Sequence, residues 1–329
     1  MNAYKYMAVE GGLRFLRDWS LRITPPADFN DPFELRPSIE SVFTEEHIDE
    51  QIENEATQMA ITNIVEMLTS TFGAILTKQD IADMATCIVM PSSSDIETGV
   101  VDILQQKIPE FSRVNFAKCK KQFQSQWVAS MQLARESAIS RLPEFNLSVK
   151  RGFTEQFPSM LGVLCLSRSP NQPLMWAHYA DSHKGMVIEF DTTHPTFNRK
   201  RSDVDDFGFL RPVTYSKARP EITMQALDAS DSFDLFALTK ADPWSYEEEI
   251  RLIWPLTLAD ESVETPVGTI GLLSCPSSAV VSVTLGCKAN DHLANEVREA
   301  LRAQTGTSHI VLRRARLHET SFELDYHDV

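Results

Sequence analysis

Long apolar runs are missing from this chain. Nowhere in its 329 residues does an uninterrupted apolar stretch approach the roughly 20 residues that cross a bilayer, so no membrane span is expected. Positive charge is in deficit. The 31 Lys and Arg face 46 Asp and Glu, a formal net charge of −15, which argues against a dedicated duplex-DNA binder and leaves room only for a local basic patch. The five cysteines (Cys87, Cys119, Cys165, Cys275, Cys287) contain no CxxC pair. That excludes a disulfide framework or a structural zinc site and reads as buried small residues in a reducing compartment, here the cytoplasm. The opening MNAYKYMAVEGG lacks a basic region followed by an apolar run, so no signal peptide is expected. Also absent are a GxGxxG after a strand, a GxxxxGK[ST], an HExxH and a GxSxG. These absences remove the Rossmann, P-loop, zinc-protease and α/β-hydrolase readings. No repeat with a period of 20–50 residues appears.

Three zones are present instead. Residues 1 to 40 read as strands and turns, punctuated by Gly11-Gly12, Pro25-Pro26 and Asn30-Asp31-Pro32. From 41 to 150 glycine is scarce, and Ile48, Ile52, Met59, Ala60 and Met67 recur at helical spacing, with Thr44 as the expected start of the first helix. Residues 40–66 hold acids and no Lys or Arg, whereas residues 113–151 are strongly basic. Two readings stand: oppositely charged helices lying against each other, or a basic surface for nucleic acid or an acidic partner. Beyond 151 short strands return, at Val163–Leu166, Met186–Asp191 and Val281–Leu285. Asp291 would cap a helix running to about Thr305, and a final strand pair falls between His309 and Tyr326. Strands early and late around one helical block indicate an α+β chain, a single domain over 1–329 with a helical insertion at 41–150.

Three segments carry candidate chemistry. Read as one strand, Trp244 to Trp254 places Tyr246, Glu248, Ile250, Leu252 and Trp254 on one face and Glu247, Glu249, Arg251 and Ile253 on the other. That second face is either a solvated row of ion pairs or the floor of a cleft in which Arg251 keeps Glu249 ionised. The stretch Ser167 to Gly185 reads as a strand end, a Pro-containing loop and a short helix whose Trp176, Tyr179 and His183 share a face, as core or as ligand platform. His178 and His183, five apart, do not form a metal pair. Phe29-Asn-Asp-Pro-Phe-Glu34 is a turn, with Asn30 and Asp31 available to a site built by the other two segments.

Together, Tyr4-Lys5-Tyr6, Asn30-Asp-Pro-Phe-Glu34, Ser167…Met-Trp-x-His-Tyr-Ala…His-x-Gly185 and Trp244-x-Tyr-Glu-x-Glu-x-Arg251 resemble a bacterial family of unknown function, number 2971. More distantly, the order of elements is similar to the ADP-ribosyltransferases. That resemblance implies a split, antiparallel-rich β-sheet holding NAD as a substrate without a Rossmann fingerprint and without a metal. It implies Glu249 and Glu247 as catalytic residues, and Lys5, Tyr6, Asn30, Asp31, Ser167, Trp176, His178, Tyr179 and Arg251 as NAD-contacting ones. Lys5 stands where that family has His or Arg. The function so implied is an NAD-dependent transferase or toxin, in phage defence or a toxin–antitoxin system, acting on a protein or nucleic-acid acceptor. The basic stretch Lys107–Lys121 would favour nucleic acid if exposed. A non-enzymatic sensor or interaction module, with its protein partner at the helical insertion, is the alternative. A metal-dependent nuclease using Glu247, Glu249 and Asp191 is a third reading.

Overall fold

The computed structural model describes residues 2–39, 42–90, 94–108, 111–223, 232–265 and 268–329. Glu40 of the acidic run and positions 109 and 110 of the basic stretch lie outside them. The chain divides into two compact units, one formed by Met1–Glu40 with Lys150–Val329 and the other by Ser41–Val149.

The first unit is built on an eight-stranded sheet of order β13-β12-β11-β4-β1-β3-β8-β5. These strands are β1 (Asn2–Met7), β3 (Leu161–Ser167), β4 (Met186–Asp191), β5 (Leu210–Pro212), β8 (Glu249–Pro255), β11 (Val280–Leu285), β12 (Val311–Leu317) and β13 (Leu324–Asp328). Every neighbouring pair is antiparallel except β11 with β12, so the sheet is antiparallel-rich in an α+β unit. A smaller sheet joins β2 (Ser20–Ile23), β10 (Gly268–Ser274) and β9 (Glu261–Thr265), and a two-stranded one joins β6 (Thr214–Ser216) to β7 (Thr239–Ala241).

The sheet is forked. β1 pairs with β4 along its whole length but with β3 only at Tyr4↔Ser167. Past that point the two strands part, and Lys5 Nζ donates to the Cys165 carbonyl at 2.9 Å where a ladder bond would otherwise run. The freed edge of β3 is taken by Thr24, which exchanges two backbone hydrogen bonds with Val163.

Residues 1 to 40 are not all strand and turn. Val9–Asp18 is a helix, α1, which buries Gly12, Phe15 and Leu16. The Gly11-Gly12 pair reads as a turn in sequence, yet Gly12 is there because a Cβ would strike the Met186 side chain, so the glycine permits close packing on β4. The first N–H of α1, on Val9, donates to Asp181 Oδ2 at 2.8 Å.

The expected helix face of Trp176, Tyr179 and His183 also needs correction. The helix is only Pro173–Tyr179; Asp181, Ser182 and His183 follow with φ of 46°, 53° and 71°. This left-handed turn folds the His183 ring back onto Trp176, with centroids 6.2 Å apart and planes 8° apart. Gly185 closes the turn, and any Cβ on it would collide with the Met7 carbonyl oxygen. Gly185→Ala is therefore expected to destabilise the protein by about 3 kcal/mol, because backbone cannot step aside as a side chain can. A chemical-denaturation midpoint unchanged by the substitution would refute this. The alternation of Met186, Ile188 and Phe190 with Val187, Glu189 and Asp191 suggests a half-buried strand, but both faces are covered: Met186, Ile188 and Phe190 share a core with Phe15 and Leu16 of α1, and Val187 one with Met175 and Trp176. The later helix, Asp291–Arg302, is capped by Asn290 and ends before Thr305.

The second unit is helical. It comprises Glu45–Gln51, Thr57–Phe72, Lys78–Val89, Ser94–Lys107 and most of the long helix Arg113–Arg151. Thr44 caps the first by accepting the His47 N–H. Ile64, Leu68, Ile81, Ala85, Leu104 and Phe116 are buried in its core. Its charges pair within the unit: Arg135 with Asp49 and Glu45, Lys107 with Asp80, Arg113 with Asp102, and Lys120 with Glu97. Arg135 joins the basic helix to the acidic run through Asp49 and Glu45, whereas Asp80, Asp102 and Glu97 lie outside that run. Among the described residues no helix is long and apolar enough to cross a membrane.

Candidate functional site

The fork between β1 and β3 opens into a cavity of about 220 Å³. Its lining includes Lys5, Asn30, Ser167, Tyr179, Glu247 and Glu249. Register explains how distant segments arrive there. Tyr4 lies opposite Ser167, and Ser167 lies opposite Glu249, so one transverse row crosses the sheet from β1 through β3 to β8.

Below the cavity sits a buried ionic cluster. Lys240 Nζ donates to Glu247 Oε2 at 2.5 Å and to Glu249 Oε2 at 2.9 Å, and lies 3.5 Å from Glu34 Oε1. Arg251 donates from Nε to Glu249 Oε1 at 2.7 Å and from Nη2 to Oε2 at 3.1 Å, and it is ion-paired with Glu34. Its Nη1 donates to the Ala237 carbonyl at 3.0 Å. Three carboxylates thus share two cations, all of them nearly inaccessible to water. The pairing is a condition of burial at all, because an isolated charge in such a place would cost several kcal/mol.

Electrostatics follow from that geometry. Burial pushes the Glu249 carboxyl upward, against the opposing pull of Lys240. Burial disfavours the Lys240 charge, but Glu249 and Glu247 outweigh it and raise its pKa. Burial pulls Arg251 down to about 9, still protonated at neutral pH. The phenol of Tyr179 donates to Glu247 Oε1 at 2.7 Å and accepts from Asn30 Nδ2 at 3.0 Å; burial raises its pKa. Tyr215 accepts the Glu249 backbone N–H at 2.8 Å and is pushed up by burial to about 12.

These shifts predict alkaline sensitivity. A group whose folded pKa is raised gives its full stabilisation below the unfolded value and loses it as pH climbs toward the folded one. Tyr179, Tyr215 and Lys240 all lose stabilisation above about pH 10, while Arg251 and Lys5, whose pKa values burial lowers, work the other way. Thermal melts should fall between pH 10 and pH 12, and fall less in Tyr215→Phe. A flat profile in the wild type would contradict the assignment.

The candidate residues do not all converge. Lys5, Tyr6, Asn30, Ser167, Tyr179, Glu247 and Glu249 line the cavity. Tyr6 and Ser167 nevertheless have their hydroxyls bonded to the Ser169 carbonyl. Trp176 is fully buried, with Nε1 donating to the Pro170 carbonyl, and serves as core. His178 is exposed, against Tyr179 and Tyr246. Arg251 lies behind Glu249, wholly buried. Asp31 is buried away from the cavity, lining a neighbouring one with Glu34 and Lys240. Asp191 is not brought to Glu247 and Glu249; it ends β4 opposite Asn2 of β1 and accepts from Thr193. Among the described residues no three His, Cys, Asp or Glu side chains form a group that could hold a metal.

Glu247 is not on a strand with Glu249. Asp242–Glu247 is a short 3₁₀ helix, and Glu248 turns left-handed at φ 44° before β8 begins at Glu249. The two carboxylates meet through Lys240 instead of through strand alternation. Lys240 was not legible as a site residue, nor was Glu34 singled out within its turn. The available signal was a lone lysine just after the apolar run Phe-Ala-Leu, in a strand that would bury it.

Comparison with known proteins bears on this same stretch. Residues 175–252 match the family model described as protein of unknown function, DUF2971. The matched segment carries Tyr179, Gly185, Lys240, Glu247, Glu249 and Arg251, so most of the cluster lies inside it. No curated protein and no solved structure matches the chain.

Proposed function

We propose that the forked cavity takes the nicotinamide–ribose end of NAD and that the protein moves the ADP-ribosyl group to water or to an acceptor. The observation that carries this reading is the row Tyr4–Ser167–Glu249, which sets the opening strand, the middle strand and the glutamate strand side by side at a cleft. Breaking the nicotinamide–ribose bond develops positive charge on the sugar, as in glycoside transfer. Glu249 faces that charge, and Arg251 and Lys240 hold its carboxylate in place beforehand, so no reorganisation is needed as the bond breaks. Tyr179 is the aromatic side chain that would flank the nicotinamide ring. Glu247, one bond from Tyr179, would take the proton of the attacking group. At about 220 Å³ the cavity is smaller than pockets that enclose a whole ligand, which fits entry of one end of the dinucleotide only.

Nicotinamide release from NAD by the purified chain tests this, with RNA, DNA and cell-extract protein each offered as acceptor. Tyr179→Phe keeps the ring but loses the bond to Glu247, so its rate should fall about 10-fold. No release under any of these conditions would sink the reading and leave an interaction module.

A further inference from the structure

A groove in the helical unit belongs to no part of the site described above. It holds about 700 Å³ and runs between the long helix Arg113–Arg151 and the stretch from Asp49 to Gln58, with Val89 and Met90 completing its lining.

The long-helix wall carries no charge along most of its length. Residues 122–134 (QFQSQWVASMQLA) contain no Asp, Glu, Lys or Arg, where a stretch of that length in a chain 23% charged would hold about three. Gln124, Trp127, Val128, Met131 and Gln132 recur at helical spacing and so share the face that lines the groove. Val128 is 56% exposed and Met90 43%. With Ile52, Val89 and Met131 they form a contiguous apolar lining, which marks an interaction surface as no single exposed residue does. Trp127 is stacked on Phe123 with planes 9° apart, a rigid aromatic anchor beside two adaptable methionines.

The facing wall is acidic. Residues 45–55 contain six acids and no Lys or Arg. Among the described residues only Glu45 and Asp49 of these are ion-paired, both with Arg135, which ties the two walls together. Glu53 lines the groove outside any such pair, and Asp49, Glu53 and Arg135 are its charged lining among the described residues. Ile52–Ala56 is a π turn, an irregularity that helices keep mostly at functional positions.

An uncharged apolar wall facing an acidic one complements a helix with an apolar stripe and a basic flank. We propose that this groove docks a basic amphipathic helix of a partner protein, its apolar stripe on Trp127, Val128 and Met131 and its Lys or Arg beside Glu53. The proposal does not depend on the NAD reading, and either can fail alone.

The probes are three fluorescein-labelled peptides of about 18 residues, long enough to form a helix. One is a Leu/Lys amphipathic helix, the second replaces its Lys with Glu, and the third scrambles the Leu/Lys sequence to abolish the stripe. Fluorescence anisotropy is read on the full chain, as wild type, Val128→Lys, Val114→Lys, Glu53→Gln and Glu66→Gln. The Leu/Lys helix should bind at least about 10-fold more tightly than either of the others. Val128→Lys should weaken it about 10-fold, whereas Val114→Lys, the same charge change at a 77% exposed position of the same helix outside the groove, should not. Glu53→Gln should weaken it about 3-fold and Glu66→Gln, also outside the groove, not at all. No binding, equal binding of the scrambled peptide, or equal effects of the two lysine substitutions would overturn the proposal. Sedimentation of the free protein supplies one more outcome: a dimer dissolved by Val128→Lys would assign the groove to a second copy of the chain and overturn it as well.

Discussion

Glu249→Gln is expected to cut nicotinamide release from NAD by at least about 100-fold and to leave the protein folded. Both halves of the expectation come from one count of charges. The native cluster holds three carboxylates, Glu34, Glu247 and Glu249, against Lys240 and Arg251. With glutamine at 249 two acids face two bases, so no buried charge is left without a counter-charge. The amide keeps one oxygen to accept from Arg251 or Lys240. What vanishes is the negative charge at the cavity wall, where positive charge on the ribose must be met. A circular dichroism melt within a few degrees of wild type, alongside the lost rate, would separate chemistry from folding. Near-native turnover in a well-folded Glu249→Gln would exclude Glu249 as a catalytic residue.

Arg251→Leu should do the opposite and attack the fold. The guanidinium is wholly buried and is shared by Glu249, Glu34 and the Ala237 carbonyl. Its removal leaves Lys240 alone against three carboxylates, a change expected to cost about 3–5 kcal/mol. Lowering the pH should recover part of that loss, because Glu249 already sits above its ordinary pKa by burial and would take up a proton more readily still. A double variant, Arg251→Leu with Glu249→Leu, removes both members of the strongest pair. Its destabilisation should be clearly smaller than the sum of the two singles, since neighbours that share a network are not additive. Additive losses in urea denaturation would mean that the pair is not coupled as the geometry has it.

Much of the strand pattern could be read in advance because short apolar runs bounded by turns leave few choices. Val163–Leu166 is such a run, and the structure buries it on both sides in β3. The helical block was legible for the same kind of reason: Thr44 caps where a threonine before acids should cap. The misreadings share a cause as well. Gly11-Gly12 marks a turn when backbone freedom is what matters, but in α1 the absence of a side chain serves packing against Met186. Alternation through Trp244–Trp254 assumed a continuous strand, whereas one left-handed residue, Glu248, resets the phase. Lys240 escaped notice because a cation becomes informative only once its three carboxylate neighbours are known, and those come from residues 34, 247 and 249. Local pattern finds elements; only register finds sites.

The central place of β1 has a consequence for how the molecule is made. β1 is hydrogen-bonded on both sides, to β4 and β3, yet all of 41–149 is synthesised between it and those partners. At the roughly 5–20 residues per second of a working ribosome, β1 is exposed for many seconds with both edges unpaired. An open strand edge is a template for pairing with other chains. In the nascent protein, then, the segment that finally seats the fork is the one most in need of protection, and conditions that slow translation of the helical block lengthen that exposure.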